Sequence, residues 1–202
     1  MQVNPDSPRT QGLITFLSFI GLNVIYMVSC LPIVTIGAAT SALYEVTYRY
    51  SDHESGALIR DYFIAFKENW VRATQVMAAT LVPALLALFA SVFWLQYDTL
   101  LSGIAAVLAA VVAIYLALTF LIGMALVARF ESPFSQTMRN ALSLPGAEPA
   151  RALGVLLIPA TEIGLSIVFT PFLFIVVTIG FSLGAYGSAF LFRSMFGKHG
   201  GE

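Results

Sequence analysis

The sequence has few charged residues and a single cysteine. Lys and Arg together number 10 and Asp and Glu 11 among 202 residues, so 10% of the chain is charged. An ordinary soluble domain contains about a quarter charged residues. The net charge of −1 gives no basis for nucleic-acid binding, and the lone Cys30 excludes an internal disulfide and a cysteine-based metal cluster.

Catalytic and nucleotide-binding motifs are also missing from the sequence. It has no Gly-x-x-x-x-Gly-Lys-Ser/Thr loop for phosphates, no His-Glu-x-x-His zinc motif and no Gly-x-Ser-x-Gly nucleophile turn. It also has no pair of carboxylates in a polar setting of the kind that general acid–base catalysis uses. We therefore expect no enzyme activity, no bound cofactor and no metal site.

Long hydrophobic runs dominate the chain. Hydrophobic residues make up 58% of it and the mean hydropathy is +0.86. A soluble fold of this length cannot bury so much apolar surface, so we predict one all-α, polytopic membrane helical bundle of five to six spans over residues 1–202. The predicted spans are residues 12–31, 33–48, 73–97, 103–128, 152–170 and 172–192.

The first two of these runs are separated by a Pro/Gly break near residues 32–37. Pro32 has no backbone N–H, Gly37 allows a backbone turn, and the hydroxyl of Thr35 can bond the carbonyls that the break frees. The run 33–48 has 16 residues and rises about 24 Å as a helix, which is short for a bilayer of about 30 Å. The sequence leaves open whether this run spans the membrane or re-enters it.

Two polar stretches predict surface helices, one near residues 57–70 and one near 133–144. In the first, aromatic residues recur at helical spacing and charged residues take the other faces. Its candidate partner-docking residues are Phe63, Phe66, Lys67 and Trp70. The alternative is a helix that lies at the membrane surface without a partner.

The basic residues predict the orientation of the chain. In a six-span arrangement every Lys and Arg falls on one side of the membrane, which the positive-inside rule makes the cytoplasmic side. Both termini are then cytoplasmic. A five-span arrangement would place the amino terminus and Arg9 outside, against that rule.

Polar residues inside the predicted spans are the candidates for a functional site. Glu162 is the ionisable residue predicted deep in a span, and such a residue is expected to face protein or water, or to be protonated. A candidate polar cavity is formed by Glu162, Ser166, Thr178, Ser182, Tyr186 and Asn23. The competing interpretation is that these residues make only hydrogen bonds between helices.

A stripe of small residues lies on the last span. Gly180, Gly184 and Ser188 recur at intervals of four and allow close helix contact. This contact can lie within the chain or between the subunits of a homo-oligomer, and the sequence does not separate the two.

Two runs near the start of the chain resemble a known bacterial group. They are Asn23 with Leu31–Tyr44, and Asp61–Trp70. At this spacing they resemble the YesL-like family, a domain of unknown function (624) found in bacterial integral membrane proteins. The resemblance implies a multi-pass protein of the bacterial plasma membrane that is associated with carbohydrate uptake. It implies no catalytic residues.

Two functions from different classes follow as hypotheses. The first is an accessory or regulatory component of bacterial carbohydrate (oligosaccharide) uptake, with the lipid bilayer and sugar-importer permease subunits as its partners. The alternative is a stand-alone small-solute transporter or channel with a polar cavity around Glu162. The sequence names neither the sugar nor the partner.

Overall fold

The computed structural model describes residues 8–52 and 57–199, which form a bundle of α-helices without strands. The helices of the described residues are α1 (Pro8–Ser29), α2 (Ile36–Ser51), α3 (Leu58–Trp94), α4 (Leu100–Arg129), α5 (Phe134–Ala147), α6 (Pro149–Val168), α7 (Pro171–Ile175) and α8 (Phe181–His199). A 3-10 turn at Ile33–Thr35 precedes α2, and a π-helical turn at Val176–Gly180 joins α7 to α8. The predicted all-α class is confirmed.

The break between α1 and α2 has the cause that the sequence predicts. Pro32 cannot donate a backbone hydrogen bond, and the helix stops before it. The hydroxyl of Thr35 donates to the carbonyl oxygen of Pro32 at 2.6 Å and to that of Ser29. The role predicted for Thr35 is therefore confirmed, because its side chain bonds the carbonyl of Ser29, which the interrupted helix leaves without a backbone partner.

Gly37 serves a different purpose from the one predicted. It lies inside the first turn of α2 rather than in a turn of the backbone. A Cβ at this position would lie 2.7 Å from the carbonyl oxygen of Ala73 and 2.9 Å from Cβ of Met77, both on α3. Gly37 is thus required for the close approach of α2 to α3, and its backbone N–H points at the sulfur of Met77.

α1 and α2 form an antiparallel hairpin. The hydroxyl of Tyr26, late in α1, lies 3.4 Å from that of Thr40, early in α2. The ring of Phe19, earlier in α1, packs instead on Tyr50 near the end of α2, with centroids 5.3 Å apart. The contact of Gly37 with Ala73 places the reversal beside the middle of α3. From Met77 to its end at Trp94, α3 runs about 26 Å further at 1.5 Å per residue.

α3 and α4 form a second and longer hairpin. The hydroxyl of Ser91 donates to the carbonyl of Ala106, and the guanidinium of Arg72 donates to the carbonyl of Phe130 at the opposite end. Thr99 caps α4 through a reciprocal pair of bonds with Ser102. The cap sets the turn that joins the two helices.

α6 and α8 complete the bundle. Gly154 of α6 contacts Leu191, whereas Glu162, two turns later in α6, contacts Gly184, earlier in α8. The two helices are therefore antiparallel, and the chain turns between them at Pro171. α1 packs against the π-helical turn and the start of α8. This contact joins the first and last described helices.

Five helices in the described residues are long and apolar enough to cross a membrane. They cover residues 12–29, 58–94, 100–129, 149–168 and 171–197. The run 33–48 corresponds to α2, which has 16 residues and is mostly buried among the other helices. The predicted range of five to six spans is confirmed. The count is five without the short run 33–48 and six with it. The surface helix predicted near 57–70 is the first part of α3, and that near 133–144 is α5.

The antiparallel contacts collect charged residues at one end of the bundle. Arg193 pairs with Asp52, Arg151 pairs with Glu148, and Arg129 lies over the ring of a tyrosine of α2. We call this the charged end. α1 begins there and α8 ends there, because α1 and α2 reverse the chain once before α3 begins.

Candidate functional site

Two of the predicted polar residues, Asn23 and Ser182, join α1 to the π-helical turn. The side-chain amide of Asn23 donates to the carbonyls of Val176 at 3.1 Å and Val177 at 2.7 Å, and its oxygen accepts from the backbone N–H of Ser182 at 3.0 Å. The hydroxyl of Ser182 donates to the carbonyl of Phe19 at 3.0 Å. We call this group the Asn23–Ser182 cluster.

The cluster supplies hydrogen-bond partners to the backbone of the π-helical turn. A π-helical turn shifts the backbone bonding pattern and leaves carbonyls without their usual helical partner. Asn23 is fully buried and supplies the missing donors. Because water is excluded here, each bond replaces an unsatisfied group. The side-chain amide of Asn23 and the hydroxyl of Ser182 are therefore already hydrogen-bonded within the bundle and are not available to a ligand.

Three other predicted cavity residues make local backbone hydrogen bonds or ring contacts instead of lining a cavity with Glu162. The hydroxyl of Ser166 donates to the carbonyl of Glu162, and the hydroxyl of Thr178 donates to that of Phe174. The ring of Tyr186 packs edge-on against Phe19 at 5.8 Å. These side chains do not line the cavity that contains the Glu162 carboxyl group.

That carboxyl group faces a cavity of about 220 Å³ between α1, α2, α3, α4, α6 and α8. The cavity is lined by Tyr26, Ile36, Thr40, Leu43, Tyr44, Leu81, Phe120, Leu121, Ile158, Pro159, Glu162, Phe181, Gly184, Ala185 and Ser188. We call it the Glu162 cavity. Among the described residues the carboxylate of Glu162 has no hydrogen-bond partner, which distinguishes it from every residue of the Asn23–Ser182 cluster.

Gly184 makes room for this carboxyl group. A Cβ at position 184 would lie 2.6 Å from Oε1 of Glu162 and 3.0 Å from Cγ2 of Ile158. The stripe of small residues on α8 therefore acts within the chain at this point. Ser188, the next member of the stripe, donates to the carbonyl of Gly184 and lines the same cavity.

A second cavity, of about 380 Å³, opens at the charged end. It is lined by Tyr44, Glu45, Tyr48, Arg49, Ala125, Ala128, Arg129 and Phe192, and we call it the charged-end cleft. The guanidinium of Arg129 lies 4.8 Å from the centre of the Tyr48 ring. The ring of Tyr44 packs on Phe192 at 5.1 Å and lines both cavities, so it forms part of the wall between them.

A chain of polar contacts supports one wall of the cleft. Asn69 donates to the carboxylate of Glu45 at 2.7 Å and accepts from Arg72 at 3.0 Å. These bonds attach the end of α2 to α3.

The predicted docking residues lie on the first part of α3. Phe63 and Trp70 are exposed, Phe66 is half-buried between them and the bundle, and Lys67 is exposed beside them. Tyr62, which the sequence pattern places on the same face, is fully buried. Neighbouring aromatic rings contact each other, with Phe66 and Trp70 centroids 5.3 Å apart. We call Phe63, Phe66, Lys67 and Trp70 the α3 stripe.

The sequence missed three residues of the Glu162 cavity. Tyr26, Thr40 and Tyr44 lie on α1 and α2, far from Glu162 in the chain, and reach the cavity because the Pro32 break folds α2 back into the bundle. The sequence does show that the end of α2 carries tyrosines and charged residues. That pattern alone does not indicate that α2 contacts α6.

Comparison with known proteins gives one match. Residues 19–91 match a family described as "Protein of unknown function, DUF624". No curated protein and no solved structure matches the chain. The matched residues run from Phe19, beside the Asn23–Ser182 cluster, through the break and α2 to Ser91 near the end of α3. The resemblance to the YesL-like family is therefore confirmed over residues 19–91.

Proposed function

We propose that this multi-pass membrane protein is an accessory or regulatory component of bacterial carbohydrate uptake, located in the plasma membrane and without enzymatic activity. The carbohydrate part of the proposal comes from the family resemblance. The accessory part is supported by where the polar groups lie. The Asn23–Ser182 cluster holds the helices together, whereas exposed charged and aromatic groups collect at the charged end.

The α3 stripe is the observation that carries the proposal. Phe63 is 47% exposed and Trp70 37% exposed, and both project from a helix whose opposite face is buried against α2. Aromatic side chains are enriched at protein interfaces and among the residues that contribute most to binding. We propose a permease subunit as the occupant, through a surface that is apolar with an acidic edge to match Lys67.

Affinity purification from native membranes tests this proposal. We expect the permease subunits of a binding-protein-dependent sugar importer to copurify with the full chain, in an amount that changes when sugar is added. Phe63→Asp should reduce their recovery by about tenfold or more, as expected for an aromatic interface residue. Phe134→Asp is the matched control, because Phe134 is also exposed near the charged end but lies on α5.

Two results would contradict the accessory role. One is a purification in which no importer subunit is enriched over membranes without the tagged protein. The other is an equal loss with Phe63→Asp and Phe134→Asp, which would mean that the α3 stripe is not the contact. If the α3 stripe instead anchors the helix in lipid, Phe63→Asp should leave the recovery of the importer subunits normal and should weaken membrane association.

The orientation forms part of the same proposal, with the charged end and both termini in the cytoplasm. Because Cys30 is the chain's one cysteine, a Cys30→Ser background allows single cysteines to be placed at will. A cysteine at Asp98 should react with an impermeant thiol reagent added to intact cells. One at Ser135 should react only after the cells are opened, and the reverse pattern would overturn the orientation.

A stand-alone transporter or channel is the second candidate function. The observation in its favour is the Glu162 cavity, which holds a carboxylate without a hydrogen-bond partner among the described residues. Ionisable groups inside membranes are typical of substrate and proton pathways. Uptake of solute by liposomes that contain the purified protein, abolished by Glu162→Gln, would support this function. Liposomes that take up nothing would refute it.

A further inference from the structure

The Glu162 cavity is lined by four aromatic side chains and one carboxylate. Its four aromatic residues are Tyr26, Tyr44, Phe120 and Phe181, contributed by α1, α2, α4 and α8. Glu162 is its carboxylate, and no basic residue lines it among the described residues. Its walls therefore attract positive charge and contain nothing that repels it.

A carboxylate in such a place needs a partner. An isolated charge away from water is costly, so the group either takes up a proton or binds a cation. Among the described residues, none of the four hydroxyl groups that line the cavity, those of Tyr26, Thr40, Tyr44 and Ser188, donates a hydrogen bond to this carboxylate. The hydroxyls of Tyr26 and Thr40 lie within bonding distance of each other, and Ser188 donates to a backbone carbonyl.

The side chains that line the cavity suit an organic ammonium group better than a metal ion. Metal ions such as Ca²⁺ and Mg²⁺ require several oxygen ligands in a defined arrangement. The cavity offers one carboxylate among mainly apolar side chains. Aromatic faces attract ammonium groups that carry carbon substituents, and cages of such rings recognise quaternary ammonium ligands.

We propose that the Glu162 cavity binds a small organic ammonium cation, whose charge pairs with Glu162 and whose carbon substituents contact the rings of Tyr26, Tyr44, Phe120 and Phe181. The cavity volume of 220 Å³ equals that of roughly seven water molecules at about 30 Å³ each. This is enough for an ammonium nitrogen with three or four short carbon substituents. Gly184 leaves the space in which the carboxylate can turn toward the ligand.

This inference names the ligand class of the second candidate function and rests on the same cavity, but it concerns binding and does not require transport. Binding to purified protein and uptake by liposomes are separate measurements. Saturable binding without uptake would refute the transporter and support the inference. Uptake of a solute by a protein that shows no saturable binding of an ammonium ligand would support the transporter and overturn the inference.

Calorimetric titration of the purified full-length protein with tetramethylammonium chloride tests the inference. We expect saturable binding to the wild type that sodium chloride at the same concentration does not reproduce. The neutral molecule tert-butanol, which has similar bulk and no charge, should not bind. Glu162→Gln should weaken the affinity by about tenfold or more, since it removes the charge and keeps the shape.

Two further variants keep the test decisive. Glu131→Gln is the matched control, because it removes an exposed carboxylate outside the cavity and should leave the affinity unchanged. Phe181→Leu keeps Glu162 and removes one ring, and should weaken binding about threefold. It also serves if Glu162→Gln does not fold. Absence of saturable binding, equal binding of tert-butanol, or equal affinities of the Glu162 and Glu131 variants would each overturn the inference.

Discussion

The Asn23–Ser182 cluster and the Glu162 cavity show two uses of polar residues inside an apolar bundle. In the cluster, the amide of Asn23 makes three hydrogen bonds to backbone groups and is completely buried. In the cavity, the carboxylate of Glu162 makes none among the described residues and borders open space. From sequence the two look alike, since each is a polar side chain within a hydrophobic run.

The difference teaches how to separate structural from functional polar residues in a membrane protein. A saturated group stabilises the bundle and has nothing left to give a ligand. A polar group beside a cavity that has no hydrogen-bond partner does not stabilise the fold, so its presence requires a functional explanation. Loss of stability on substitution should therefore be large around the cluster and small around the cavity.

The largest effect is expected at Gly37, in the tightly packed part of the bundle. Gly37→Ala would place a methyl group 2.7 Å from the backbone oxygen of Ala73, which cannot move aside as a side chain can. We expect the free energy of unfolding to fall by about 3 kcal/mol, at the upper end of the cost of overpacking. Chemical unfolding in mixed micelles, followed by circular dichroism, measures this loss. Gly164→Ala is the control, because nothing lies near a Cβ there.

Asn23→Leu tests the cluster itself. The change leaves two carbonyls and one N–H without partners, so we expect a loss of about 2 kcal/mol in the free energy of unfolding. The same unfolding measurement on Asn140→Leu supplies the comparison, because Asn140 lies on the surface helix α5. Equal losses in the two variants would mean that the cluster contributes nothing specific.

Gly184→Ala is the counterpart of Gly37→Ala on the cavity side. Here the new methyl group meets the end of the Glu162 side chain, which can rotate into the cavity, rather than a fixed backbone atom. We expect a loss of about 1 kcal/mol or less. Thermal unfolding of both glycine variants side by side checks the order. A larger loss at Gly184 than at Gly37 would mean that the Glu162 side chain cannot move aside.

Glu162→Gln should have the smallest effect on stability. Since the carboxylate has no hydrogen bond among the described residues, we expect the free energy of unfolding to change by less than about 0.5 kcal/mol. Glu131→Gln, at an exposed position, gives the reference value in the same unfolding assay. A loss comparable to that of Asn23→Leu would show that Glu162 holds the bundle together.

The sequence predicted the local features of the fold well. The Pro32 break, the carbonyl-bonding role of Thr35 and the lengths of the apolar runs follow from properties of neighbouring residues. Gly37 was interpreted less well. Its role depends on α3, which packs against it, and the residues next to Gly37 in the chain do not indicate that contact.

By itself the sequence determined that this chain is a helical membrane protein, where its helices break and where its charges collect. These follow from the transfer of apolar side chains out of water and from the backbone limits of proline, which act locally. Only the tertiary structure decided which polar residues are satisfied. The partners of Asn23 lie more than 150 residues away along the chain, and their contact exists because α1 packs against the π-helical turn.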